Sequence, residues 1–259
     1  MPYPRPIFLF TDFGWSGPYV GQMSAAIYDA APDSRVISLM HDAPAMRADL
    51  AAYLLPACVS SLPSESVIVA VVDPGVGGDR AALVVEAGGK IFVGPDNGLL
   101  SRLPAIDRVA RIDWQPAYLS ASFHGRDLFA PVAARLAAGH AVAASAMPVD
   151  EMIGSNWPDA LARVVFVDAY GNLMIGLDAR MIGVDRQFHV SGRTLCHAET
   201  FCRVPAGQPF WYRNSQGLVE IAVNGASAAA ILSLDLGDTI LIDWSPATDW
   251  RCCTTRRLQ

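Results

Sequence analysis

Charge is scarce in this 259-residue sequence, and basic clusters are scarcer: charged residues make up 17%, and 25 acids against 19 bases give a formal net charge of −6. Neutralising phosphates takes clustered Lys and Arg, and only the terminal "TTRRLQ" pairs them, so no nucleic-acid partner is expected. The longest apolar runs, "SVIVAVV" and "IFLF", fall far short of the roughly 20 residues that span a bilayer, so no membrane segment is expected either. The start, "MPYPRPIFLFTDFG", lacks the long apolar core of a signal peptide, which makes cytoplasmic residence the expectation. Five cysteines (Cys58, Cys196, Cys202, Cys252 and Cys253) are odd in number and show no CxxC spacing, which argues against a disulfide framework or a zinc site. No Walker loop or GxGxxG is present, so the glycines do not suggest a phosphate cradle.

What is present is a globular composition, 52% hydrophobic, with two distinct textures. The first half alternates strand-like runs ("IFLF", "RVISLM", "SVIVAVV") with helix-like ones ("YVGQMSAAIYDAAP", "ADLAAYLLPACVSSL"), the pattern of a mostly parallel α/β sheet covered on both faces. "AALVVEA" and "KIFVGP", separated by Gly88 and Gly89, read as a hairpin added to it. "LFAPVAARLAAGH" reads as a helix that Asp127 is placed to cap. Beyond the Pro-containing stretch after Ala141 come short strands with turn punctuation, the texture of a small antiparallel β-barrel. The expected organisation is an α/β domain over 1–145, a linker over 146–160 and a β-barrel domain over 161–259.

Ligands of parallel α/β sheets bind beyond the carboxyl ends of the strands. There the sequence places Thr11 and Asp12 after the first strand, His41 and Asp42 after the second, and Asp73 after the third. Asp12 can accept hydrogen bonds from vicinal hydroxyls and is the better functional candidate, although both Asp12 and Asp42 also suit turns or caps. "VVDPGVGGDR" sets Asp73 and Arg80 seven residues apart around three glycines, either an incidental ion pair or a loop that approaches a ligand. "SFHGRDLFAP" brings His124, Arg126 and Asp127 to a helix start. "GPDNGLL", "DAYGN" and "NSQG" read as turns. His140 and His189 read as structural, and Tyr170, Phe201, Phe210, Trp211 and Tyr212 as mostly core, some of them able to line a flat apolar slot.

Taken in order, "TDFG" with "YVGQM", "VVDPGVGGDR", "GPDNGLL", "SFHGRDLFAP", "VDAYGN" and "NSQGLVEIAVNGASAA" resemble the S-adenosylmethionine hydrolases, also called S-adenosylmethionine hydroxide adenosyltransferases. These are relatives of the bacterial fluorinase and chlorinase. The resemblance runs from about residue 7 to about residue 243. It implies an α/β domain and a small β-barrel in a homotrimer with sites between neighbouring subunits, and attack of water at the ribose C5′ to give adenosine and methionine. S-adenosylmethionine is then the substrate, and no cofactor or metal is implied.

The resemblance assigns a water-activating triad to Asp73, Arg80 and His124. It assigns the ribose hydroxyls to Asp12, the adenine edge to Asn172, aromatic contacts with adenine to Tyr170 and Phe201, and the amino-acid end to Asp168 and Ser215. The backbone near Gly225 would approach the base. The halogenating relatives have Tyr where Asp73 stands, Ser where Gly125 stands and Arg where Gln216 stands, and they carry an insertion after the equivalent of Arg80 that is missing here. A non-catalytic binder of adenosine or S-adenosylmethionine is the alternative from another class, and it would have no need of the triad.

Overall fold

The structure is a computed structural model in which residues 4–243 are described. The chain divides into two compact units, separated between Trp157 and Pro158. Cys252 and Cys253 lie outside the described residues, while Cys58, Cys196 and Cys202 form no disulfide among the described residues.

In the first unit, strands β1 (Ile7–Thr11), β2 (Val36–Met40), β3 (Val67–Val71), β4 (Ala82–Ala87), β5 (Lys90–Pro95), β6 (Ile106–Ile112) and β7 (Ala144–Met147) form one sheet, in the order β2-β1-β3-β5-β4-β6-β7. The pairings β1–β2, β1–β3 and β3–β5 are parallel, and the three on the other side are antiparallel. Every residue of β1 and β3 is buried, which explains their unbroken apolar runs: a central parallel strand is covered on both faces. β4 and β5 form the expected hairpin, with Ala87 opposite Lys90 and both turn glycines at positive φ.

Helix α1 (Tyr19–Ala30) turns Met23 and Ile27 inward. They meet Ile7, Leu9, Val67, Val69 and the small residues of α3 (Ala130–Ala137) in a single core. Full burial of a large aliphatic side chain contributes about 1.5–3 kcal/mol, so such residues hold this face of the sheet. Helix α2 (Ala48–Val59) buries nearly all its apolar residues. Between the sheet and α3, Gly125–Phe129 form a π-helical turn closed by the Ala130 N–H bonding back to the Gly125 carbonyl. Asp127 therefore lies inside this wide turn and does not cap the helix as expected. It accepts from the Ser120 N–H (2.9 Å) and pairs with Arg126.

The second unit contains β8 (Leu161–Val167), β9 (Leu173–Asp178), β10 (Gln187–Val190), β11 (Arg193–Leu195), β12 (Pro209–Arg213), β13 (Leu218–Val223), α4 (Ala228–Leu232) and β14 (Leu241–Asp243). Its strands make two antiparallel sheets, β11-β10-β14 and β12-β13-β9-β8. Where a barrel is expected, the described residues show these two sheets, with isolated bridges at Arg163 to Thr239 and His197 to Trp211 and no closed ladder. Val219, Ile221 and Val223 of β13 face the core with Trp211, so strand alternation turns Leu218, Glu220 and Ala222 to the opposite face.

Candidate active site

The parallel strands β1, β2, β3 and β5 bring their carboxyl ends to one edge, and the polar residues read after them gather there. Thr11 Oγ1 and His41 Nδ1 share a hydrogen bond of 2.8 Å, both residues being fully buried. Trp15 stands edge-on to the imidazole at 4.6 Å, and His41 Nε2 has no partner. Burial lowers the pKa of His41, so it is held neutral. Asp12 accepts from the Met46 N–H (2.9 Å). Burial raises its carboxyl above the ordinary range, against the hydrogen bonds it accepts, and the charge of Asp73 adds to the rise.

Asp73, Arg80 and His124 form one chain of contacts. Arg80 Nε donates to Asp73 Oδ1 (3.1 Å) and Oδ2 (3.0 Å), and its Nη2 donates to Asp73 Oδ2 (2.5 Å) and to His124 Nδ1 (2.9 Å). The guanidinium also lies over the Phe129 ring, 5.2 Å from its centroid. The side chains of Arg80 and Asp73 are only 9% and 4% exposed, so solvent does little to screen this pair. A guanidinium has donors only, so His124 Nδ1 must accept, and the imidazole proton sits on Nε2. Burial, then the charge of Arg80, lowers the pKa of His124, which agrees with a neutral ring.

Local chain geometry explains the convergence. Gly77 has φ +79°, and a Cβ there would lie 2.3 Å from the carbonyl oxygen of Ala121, so only glycine lets this loop rest on the segment that leads into His124. Asn97, in the turn after β5, donates through Nδ2 to the Val72 carbonyl (2.8 Å) and steadies the strand end that presents Asp73. His124 itself is the residue before the π-helical turn.

Six further residues singled out in the sequence, Asp168, Tyr170, Asn172, Phe201, Ser215 and Gly225, line one cavity of about 750 Å³ in the second unit. The 168–172 turn is built around Asp168, whose Oδ1 accepts from the Tyr170 N–H (2.9 Å) and the Asn172 N–H (2.8 Å), and whose Oδ2 accepts from Asn172 Nδ2 (2.9 Å). Gly171 at φ +81° lets the turn pass against Ser227. Asn172 is buried, whereas Tyr170 is 80% exposed, contrary to a core role. Phe201 meets Phe210 and Tyr212 at centroid distances of 5.3 and 5.6 Å, an aromatic wall beside the cavity.

Sequence reasoning missed Met174, Asn214 and Glu220 in this lining and gave Tyr212 no partner. Met174, Glu220 and Tyr212 are cross-strand neighbours on β9, β13 and β12, one row across the sheet. Tyr212 donates to Glu220 Oε1 (2.5 Å) and Asn214 Nδ2 donates to Oε2 (2.9 Å). Burial raises the pKa of Glu220 despite these bonds, and raises that of Tyr212 as well. A single acid in an apolar strand, "LVEIAV", is the signal that period-two reading offers. Among the described residues no group of three or more His, Cys, Asp or Glu is placed to hold a metal ion.

Family models cover both units: that for the SAM hydroxide adenosyltransferase N-terminal domain matches residues 7–146, and that for the C-terminal domain matches 162–241. The (R)-S-adenosyl-L-methionine hydrolase of Salinispora arenicola is 37% identical over 90% of this chain and 95% of its own length. The protein of the same name from Thermus thermophilus is 36% identical over 90% and 97%. Among solved structures, an uncharacterized conserved protein from Thermotoga maritima matches with a TM-score of 0.83 at 28% identity, over 92% of this chain and 100% of that one.

Proposed function

The chain belongs to the SAM hydroxide adenosyltransferase family, and on that premise we propose that it hydrolyses S-adenosyl-L-methionine to adenosine and L-methionine. The observation that carries this reading is the buried Asp73–Arg80–His124 chain, a set a pure binding protein would not need. The relatives' names specify the (R) sulfonium, and we extend that epimer to this chain as its substrate.

The chemistry suits such a set. Attack of a water oxygen at C5′ breaks the C5′–S bond and leaves its electron pair on sulfur as a neutral thioether, so the leaving group needs no acid. The demand falls on the nucleophile, which must be aligned and stripped of a proton. Arg80 occupies His124 Nδ1, so His124 acts through its Nε2–H and donates to the water oxygen. Asp73 keeps lone pairs to accept a water proton, and the guanidinium favours hydroxide character between them. Proton transfer to such a base contributes about 10²–10⁴-fold, and alignment contributes further.

In this reading Asp12 binds the ribose hydroxyls. Asn172, Tyr170, Phe201 and the backbone at Gly225 hold the adenine, and Asp168 and Ser215 face the amino-acid end. The first group belongs to one unit and the second to the other. A homotrimer in which neighbouring subunits complete each site, working in the cytoplasm, is the assembly we assign from the family resemblance, and sedimentation of the purified protein tests it.

Hydrolysis in heavy-oxygen water should place the label at the 5′ oxygen of adenosine. Its absence there would sink the displacement mechanism. A 5′-halogenated nucleoside formed with added chloride would favour a halogenase, and tight adenosine binding without turnover would favour a sensor.

A further inference from the structure

The ladder between β1 and β2 shifts register after Leu9 and ends with Phe10 opposite Met40. Beyond it, four hydrogen bonds hold the loop after β1 to the loop after β2. The Gly14 N–H donates to the His41 carbonyl (2.6 Å), and the Ala43 N–H donates to the Thr11 carbonyl (3.1 Å). The Met46 N–H donates to Asp12 Oδ2 (2.9 Å), and Thr11 Oγ1 shares its bond with His41 Nδ1 (2.8 Å). Of the four, the last alone joins two side chains, and both of its residues are fully buried.

The two loops need such an anchor. Met46 holds φ +57°, a left-handed conformation that costs a non-glycine residue and persists only where its surroundings impose it. In that conformation its N–H meets the half-buried Asp12 carboxylate. A carboxylate that already points where two hydroxyls must be read loses less freedom on binding than one that has to be ordered by the ligand.

We infer that His41 is a positioning residue for ribose recognition: its buried ring, bonded to Thr11, locks the two loops together and so fixes the direction in which Asp12 presents its carboxylate. This rests on the reading above in which Asp12 binds the ribose hydroxyls. His41 thereby serves substrate binding and takes no part in activating the water.

The test measures adenosine affinity by calorimetry, and kcat and KM on S-adenosyl-L-methionine, for the full-length protein and its variants. His41→Leu, which removes the hydrogen-bonding ring, should weaken adenosine binding and raise KM by about tenfold each, with kcat within about threefold of wild type. Thr11→Val removes the same bond from its other end and should weaken binding likewise, so the comparison survives if His41→Leu fails to fold. His41→Asn should restore affinity to within about threefold of wild type, because its amide stands as many bonds from Cβ as Nδ1 does and can donate or accept. For 2′,3′-dideoxyadenosine, which has neither hydroxyl, His41→Leu and Thr11→Val should each change affinity by less than about twofold. An equal loss on both nucleosides means a merely structural role and overturns the inference, as does a His41→Asn protein no better than His41→Leu. Asp12→Asn separates the two readings. If it binds adenosine as tightly as wild type, the ribose reading falls and the inference with it; a weakened Asp12→Asn beside an unimpaired His41→Leu overturns the inference alone.

Discussion

Arg80→Leu is the substitution that most directly probes the buried chain. The wild-type guanidinium satisfies both oxygens of an Asp73 side chain that is 4% exposed, and it also donates to His124 Nδ1. Removing one partner of a buried ion pair leaves an uncompensated charge and costs about 3–5 kcal/mol. The orphaned imidazole nitrogen adds about 1 kcal/mol. Urea unfolding of both proteins at neutral pH reads this difference. Adding Asp73→Asn to Arg80→Leu removes both charges and should recover part of the loss. A difference below about 1 kcal/mol would mean the pair behaves as a solvent-screened surface bridge, and the electrostatic argument would fail.

Four other outcomes follow from the geometry. His124→Ala should lower kcat by about 10²–10⁴-fold while adenosine affinity, read by calorimetry, stays near wild type; a matching loss of affinity would make His124 a structural residue. His124 must be neutral to accept from Arg80, and its pKa is lowered from 6.5, so kcat/KM should hold as pH falls to that value and decline only below it; a limb above 6.5 contradicts this. Gly77→Ala and Gly171→Ala each combine a positive φ with a Cβ within 2.3 Å of another atom, and should each cost at least about 1–3 kcal/mol in thermal or urea unfolding; wild-type stability would show that the loops yield freely. Thr11→Val strips the shared hydrogen bond from the fully buried His41 and should cost about 1–3 kcal/mol in urea unfolding; no change would mean the hydrogen bond is dispensable.

Much of the first unit was legible in the sequence because its signals are local. Continuous apolar strands, the Gly88-Gly89 turn and polar residues just after Phe10, Met40 and Val72 need no knowledge of distant contacts. The contact of Asp73 with Arg80 was a possibility in the spacing. Its extension to His124 was not, because it depends on a loop resting against Ala121, 44 residues along from Gly77 in the chain. Asp127 illustrates the opposite failure: an acid before a helix reads as a cap, yet the turn there is wider than an α-helical one and uses the carboxylate sideways. Glu220 stood out as a lone acid among apolar strand residues, but its role was not legible, because it depends on the opposing Tyr212 and the nearby Asn214. The barrel expectation recognised short strands with turns but could not tell a closed ladder from two sheets, since both give short strands with regular turns.

The wide turn from Gly125 to Phe129 also works as a phase setting. It closes over five residues where an α-helix closes over four, so it holds one residue more than α3 would need to continue upward in regular form. Each residue of an α-helix advances the side-chain direction by about 100°, and α3 is locked by its buried Ala and Val residues. Deleting Arg126, the turn residue outside the core, would leave the buried Leu128 and Phe129 in the sequence and swing His124 about a quarter turn away from Arg80. The direction of the imidazole is thus stored as a residue count, separate from the packing that holds the helix. A lineage could silence or redirect the chemistry by a three-nucleotide insertion or deletion without disturbing the hydrophobic core.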